Sequence, residues 1–169
     1  QMKHLDIGGS TASRTGNCPG WLRESKGRPR APISEATVEG SMHHEVQEAC
    51  RLHDKHPEDF IGFTYTEGPF DRTFTEEDLP LSLKAYHAVD ALMLEYDIDE
   101  YVIEPFVQII PDIAGGSIDF LGLSKDRKTV LSIDYKFGRV GVEAENNQQQ
   151  VFYKIAAKTD PLTADLFEE

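Results

Sequence analysis

The sequence predicts an α/β fold with the element order helix, helix, three strands, helix. Three observations carry that expectation. Two stretches, within residues 34–56 and 75–96, repeat apolar residues at helical spacing. Residues 101–137 hold runs of β-branched and aromatic residues cut by turn-forming ones. Finally, Asn146 and Asn147 precede a last helical stretch, and asparagine is a favoured helix N-cap.

Taken in order, residues 10–24 predict a short helix begun by Ser10 or Thr11 and stopped near Gly16 to Gly20, followed by a Gly-, Pro- and Arg-rich loop through Pro32. Ser34 is placed to cap a long helix whose apolar positions are Val38, Met42, Val46, Ala49 and Leu52, ending before Pro57. Residues 57–74 read as irregular. A second helix starts near Thr75 or Pro80 and carries Leu81, Ala85, Ala88, Val89, Leu92, Met93 and Tyr96. Strands are expected at Tyr101 to Ile110, Gly116 to Leu123 and Val130 to Phe137. Turns at Pro111-Asp112 and Ser124 to Arg127 make an antiparallel meander the economical arrangement. Gly138 to Glu145 reads as a loop before a last helix through Lys158.

At 169 residues the chain has the length of one domain with a real core, and 39% hydrophobic with 28% charged residues is an ordinary globular composition. No apolar run approaches the roughly 20 residues of a membrane span, and the N-terminus lacks an apolar signal segment. A cytoplasmic protein that does not engage a membrane is therefore expected. Two cysteines, Cys18 and Cys50, make no disulfide framework. A net charge of −13 argues against a generic nucleic-acid binder, because phosphate contacts come from Lys and Arg. Residues 1–30 are the exception, with six basic residues, Arg28 among them, against Asp6 and Glu24. The segment is a solvated arm or a DNA contact.

The chemistry is concentrated at Ser117-Ile118-Asp119-Phe120 and Ile133-Asp134-Tyr135-Lys136-Phe137-Gly138. Charges are costly inside apolar runs. A hard cation such as Mg2+ held by the oxygens of Asp119 and Asp134 would resolve that cost. On a strand, Lys136 would share a face with Asp134. The spacing is that of a phosphodiester-hydrolysing site. On the first long helix, His43 flanks the apolar stripe, while His44 lies opposite with Gly40 and Glu48. A surface histidine fits His44 equally well, but Gly40 one turn earlier would let another element approach. Cys50, His53 and His56 fan around the helix and are assigned no function. Glu104 alternates with Val102, Phe106 and Gln108 and is a further acidic candidate. Gln149 and Tyr153 stand one turn apart on one helix face.

These residues resemble the PD-(D/E)XK nuclease superfamily, in its RecB-type and CRISPR-adaptation nuclease branch and related phage proteins. Four motifs carry the resemblance: Glu39-Gly40-Ser41-Met42-His43-His44 for Gly-x-x-x-His, Gly116-Ser117-Ile118-Asp119 for Gly-x-Ile-Asp, Asp134-Tyr135-Lys136 for Asp-x-Lys, and Gln149 to Tyr153 for Gln-x-x-x-Tyr. The match spans about residues 34 to 158. It implies a restriction-endonuclease-like α/β core, a small mixed sheet flanked by helices, over residues 34–169, preceded by a short helix and basic loop over 1–33. The family core usually adds a strand after the last helix. The chain is accordingly expected either to be cut short at its C-terminus or to lack that strand.

The function the resemblance implies is Mg2+- or Mn2+-dependent hydrolysis of DNA, by an exonuclease rather than an endonuclease, in replication, recombination or repair. His44, Asp119, Asp134 and the Tyr135 carbonyl would ligate metal, with Lys136, Gln149 and Tyr153 as further catalytic residues. Linear DNA ends or single strands are the expected partners, with a helicase, a single-strand-binding protein or a second copy of the chain as candidates beside them, in a bacterial or phage-infected cell. Some relatives hold an iron–sulfur cluster through one early and three late cysteines. Cys18 matches the first, no later trio exists, and no cluster is expected. The rival readings are a catalytically silent DNA-binding or assembly module on the same fold, and a metal-dependent hydrolase of something other than DNA.

Overall fold

A computed structural model describes residues 5–18, 20–27, 29, 32–137 and 147–167. The helices are α1 (Ala12–Asn17), α2 (Trp21–Ser25), α3 (Glu35–His53), α4 (Leu79–Glu95) and α5 (Gln148–Thr159). The strands are β1 (Thr64–Glu67), β2 (Phe70–Thr73), β3 (Ile98–Ile103), β4 (Phe106–Ile110), β5 (Ala114–Ser117), β6 (Phe120–Ser124) and β7 (Val130–Ile133). The fold is mixed α/β, as expected, and its strand pairs are antiparallel. The chain forms two compact units. One comprises Gln1–Arg30, Ile98–Asp134 and Glu143–Glu169, and the other Ala31–Asp97 and Tyr135–Val142. No helix among the described residues is long and apolar enough to cross a membrane.

In the second of these units, α3 begins where the sequence places it. The Ser34 side chain accepts from the Thr37 N–H, satisfying one of the orphan donors of the first turn. The helix stops at Asp54, which takes the left-handed conformation (φ 50°). Val38, Met42, Val46 and Cys50 are buried, whereas Leu52 is 54% exposed and leaves the predicted stripe. Met42, Val46 and Cys50 pack with Phe74, around which Phe60, Phe63, Tyr65, Leu79 and Tyr86 gather.

The expectation of irregular structure over 57–74 is corrected. Pro57–Phe60 is a 3-10 turn, and β1 and β2 form a hairpin with Glu67 opposite Phe70. Gly68 takes φ +59° at the first position of its two-residue loop, where glycine is at no disadvantage. The strands alternate exposed and half-buried residues without a strong apolar face, so they carry little period-2 signal. The helix α4 starts at Leu79 with Pro80 in its first turn, and buries only Ser82 and Val89 fully.

In the first unit the three predicted strands become five. The first run breaks at Glu104-Pro105, where Glu104 takes φ +50° and proline has no N–H to give. The second breaks at Ile118-Asp119. The two breaks meet, because the Glu104 N–H donates to the Asp119 carbonyl at 3.2 Å and the Ile118 N–H to the Pro105 carbonyl at 3.1 Å. The result is a three-stranded sheet in the order β3-β6-β7 and a separate β4-β5 hairpin. The third run ends as a strand at Ile133, not Phe137.

Asn147 caps α5, its side-chain oxygen accepting from the N–H groups of Gln149 and Gln150. Phe152, Tyr153, Ala156 and Ala157 of that helix pack on Val107, Ala114, Ile118 and Leu121. At its C-terminus buried Asp160 accepts from the Gln108 N–H of β4 at 2.8 Å and from the Leu162 N–H. The N-terminal residues join the same unit through a parallel bridge between Ile7 and Ala114.

Candidate active site

Register brings the two aspartates together. Phe120 at the start of β6 pairs with Ile133 at the end of β7, so Asp119 and Asp134 are the residues just outside the last pair, each beyond the end of its strand. Both carboxylates lie near Tyr153 of α5, whose phenol feels the charge of each. Ile118 and Phe120 are fully buried, while the intervening Asp119, at the break between β5 and β6, is half-buried.

The helix α5 closes one side of this pair. The Gln149 side-chain amide donates to Asp134 Oδ1 at 2.8 Å and also reaches the Tyr153 hydroxyl at 3.5 Å. The expected one-turn pairing of Gln149 and Tyr153 is therefore present, with Asp134 as its third member. Burial pushes the Tyr153 phenol above its ordinary range, and the negative charges of Asp134 and Asp119 push it further, with the Gln149 hydrogen bond opposing. The Tyr153 ring lies where the backbone makes room for it. A Cβ on Gly9 would stand 2.5 Å from its Cζ, and one on Gly116 3.3 Å from its Cε1.

Tyr135, Lys136 and His44 belong to the other unit. Residues 134–137 are without regular structure, so strand alternation does not set Lys136 beside Asp134, and this part of the expectation is corrected. Lys136 is exposed and Tyr135 buried. His44 is half-buried, not on an open helix face, with its ring edge-on to Tyr135 at 5.9 Å and to Phe137 at 5.3 Å between centroids. The role expected of Gly40 is not borne out, since nothing among the described residues lies within 4 Å of where its Cβ would stand. Glu104 sits at the strand break described above, so its alternation with Phe106 and Gln108 does not hold. Arg28 of the basic loop lies outside the described residues.

One cluster escaped the sequence reading. Glu39, His43 and Asp78 bring ligand atoms within 4.8 Å of one another. His43 is buried, its Nδ1 2.9 Å from Ser82 Oγ on α4, and burial lowers its pKa. Asp78 Oδ1 accepts from Arg72 at 2.6 Å, and its Oδ2 from the Thr75 N–H and hydroxyl. A guanidinium already serves as the cation for Asp78, and the cluster ties α3, β2 and α4 together. The sequence carried one signal of it: His43 directly follows Met42 of the apolar stripe, and both prove fully buried.

The profile of the family described as protein of unknown function (DUF2800) matches residues 4–162, and the chain belongs to that family. No curated protein and no solved structure matches the sequence.

Proposed function

We propose that this member of the DUF2800 family is a metal-dependent deoxyribonuclease that degrades DNA from its ends in the cytoplasm of a bacterial or phage-infected cell. The observation that supports this reading most is that Asp119 and Asp134 both adjoin the last β6–β7 pair and both act on Tyr153, with the Gln149 amide fixing Asp134. Two carboxylates brought together repel, and an all-oxygen donor set of this kind suits Mg2+ or Mn2+. With the Tyr135 carbonyl they would hold the ion. The Gly-x-x-x-His motif, not a distance, brings His44 into that ligand set. The bound cation would supply an acidified water and charge neutralisation at the scissile phosphate.

The chain's own groups do the rest. Gln149 holds Asp134 in one orientation, so that carboxylate need not reorganise when substrate arrives. Tyr153 keeps its proton, because burial and two carboxylates disfavour the phenolate, and it remains a hydrogen-bond donor at neutral pH. Lys136 follows Asp134 by two residues and carries a positive charge that would offset charge developing on the phosphate.

The test is incubation of linear and covalently closed circular DNA with the protein in Mg2+, Mn2+ or EDTA. Degradation of linear DNA only with metal, lost in Asp119→Ala and Asp134→Ala proteins that remain folded, is the expected result. Lys136→Ala should lower turnover far more than it weakens Mn2+ binding in calorimetry, since an ammonium cannot ligate the ion. Full activity in EDTA would sink the reading, and rapid cleavage of closed circles would make the enzyme an endonuclease.

A further inference from the structure

We infer that the groove between β7 and α5 is the track for a single strand of nucleic acid leading to the aspartate pair; the inference rests on the nuclease reading and extends it to residues no motif contains. The groove has a volume of about 660 Å3 and lies wholly within the first unit. That is in the range of sites that enclose small ligands, roughly 300–1,000 Å3. It takes a short stretch of a single strand and not a duplex.

Charge is the main argument. The chain carries 30 acidic residues in 169, yet among the described residues none of the 12 that line the groove is acidic, and two are lysines. Lys128 comes from the turn that joins β6 to β7, and Lys154 from the middle of α5. The helix itself has no acidic residue and carries a further lysine, Lys158, in its last turn. In a protein of net charge −13 this strip lacks the acidic side chains that would repel a polyanion.

The remaining lining is mixed, four polar residues beside five aliphatic ones and Tyr153, and offers surface to both the backbone and the bases of a strand. Thr129, Ser132, Asn147 and Gln150 present hydroxyls and amides, groups that bond phosphate and sugar oxygens. Val130 and half-exposed Val151 present apolar surface that suits sugar and base faces without reading base edges. The groove wall also includes Tyr153, whose hydroxyl meets Gln149 beside Asp134. Gln149 and Gln150 are adjacent on α5, one turned to Asp134 and the other to the Ser132 hydroxyl at 3.2 Å. A strand lying in the groove therefore runs along the same helix that fixes the catalytic carboxylate.

The experiment is fluorescence anisotropy with a labelled oligothymidylate in EDTA, titrated with salt from about 50 to 200 mM. Each lysine that neutralises a single-strand phosphate contributes about 0.7 to the slope of log affinity against log salt. The double variant Lys128→Gln/Lys154→Gln should flatten that slope by about 1.4, and Lys84→Gln on α4 should leave it unchanged. Equal slopes in all three proteins, or no binding by the unmodified protein, would overturn the inference. So would tighter binding of a labelled oligoglutamate, which would assign the groove to an acidic peptide segment. Hydrolysis of linear DNA is scored in parallel. A lysine-dependent slope without hydrolysis would keep the groove and remove the nuclease reading, whereas hydrolysis with equal slopes would do the reverse.

Discussion

At the scale of single residues, the site depends on positions that bear no functional group. Gly9 and Gly116 leave the space into which the Tyr153 ring packs. Gly9→Ala would put a methyl 2.5 Å from Tyr153 Cζ, closer than any carbon contact tolerates. Overpacking of this kind costs about 1–3 kcal/mol. Restricting the unfolded chain returns only about 0.4–1 kcal/mol. The variant should thus be less stable, with a lower midpoint in urea, and its Tyr153 displaced from Gln149 should reduce turnover as well. An unchanged midpoint would mean that the ring has room to move. The acids themselves were legible in the sequence because charge inside an apolar run is conspicuous. The glycine next to Tyr153 was not, since Gly9 lies far from it in the chain and no spacing rule links them.

At the scale of elements, legibility followed the strength of local periodicity. The helices α3 and α5 appear with their expected caps because Ser34 and Asn147 act on donors only two or three residues away. The strand breaks at Glu104 and Ile118 were not visible, because they depend on each other: one break supplies the carbonyl that the other's N–H requires. The joint between α3 and α4 gives a prediction of its own. His43 and Gln47 of α3 converge on Ser82, through its hydroxyl and its carbonyl, and Arg51 reaches Asp90 at 2.6 Å. Burial lowers the His43 pKa below its ordinary value near 6.5, outweighing the opposing pull of Asp78 and Glu39, while Arg72 and His44 lower it further. The folded state then holds the neutral ring. The unfolded chain takes up a proton that the folded chain refuses, so this contribution to stability is complete above about pH 6.5 and lost as pH falls toward the lowered value, with a slope of up to about 1.4 kcal/mol per pH unit. Urea titrations at pH 7 and pH 5.5 should show the loss, and His43→Gln should reduce that pH dependence. Equal dependence in the two proteins would place the titrating group elsewhere.

At the scale of the whole chain, the two cysteines differ in the way their surroundings dictate. Cys50 of α3 is buried in the core, and burial pushes its thiol up to about 11, whereas Cys18 is exposed. Native protein at pH 8 should lose one thiol per chain to an alkylating reagent quickly and the second only on unfolding. Rapid loss of both would contradict the packing of Met42, Val46 and Phe74 around Cys50. The interleaving of the two units also fixes an order of events during synthesis. Ile7 bridges Ala114, giving its N–H to the Ile113 carbonyl and accepting from the Gly115 N–H, while the residues between them include nearly all of the other unit. At about 5–20 residues per second, a ribosome needs on the order of 5–20 s to make the partner that Ile7 requires. Through that interval the stretch around Gly9 lacks its β5 partner and is open to proteases and chaperones, so it is secured only after most of the other unit has been made.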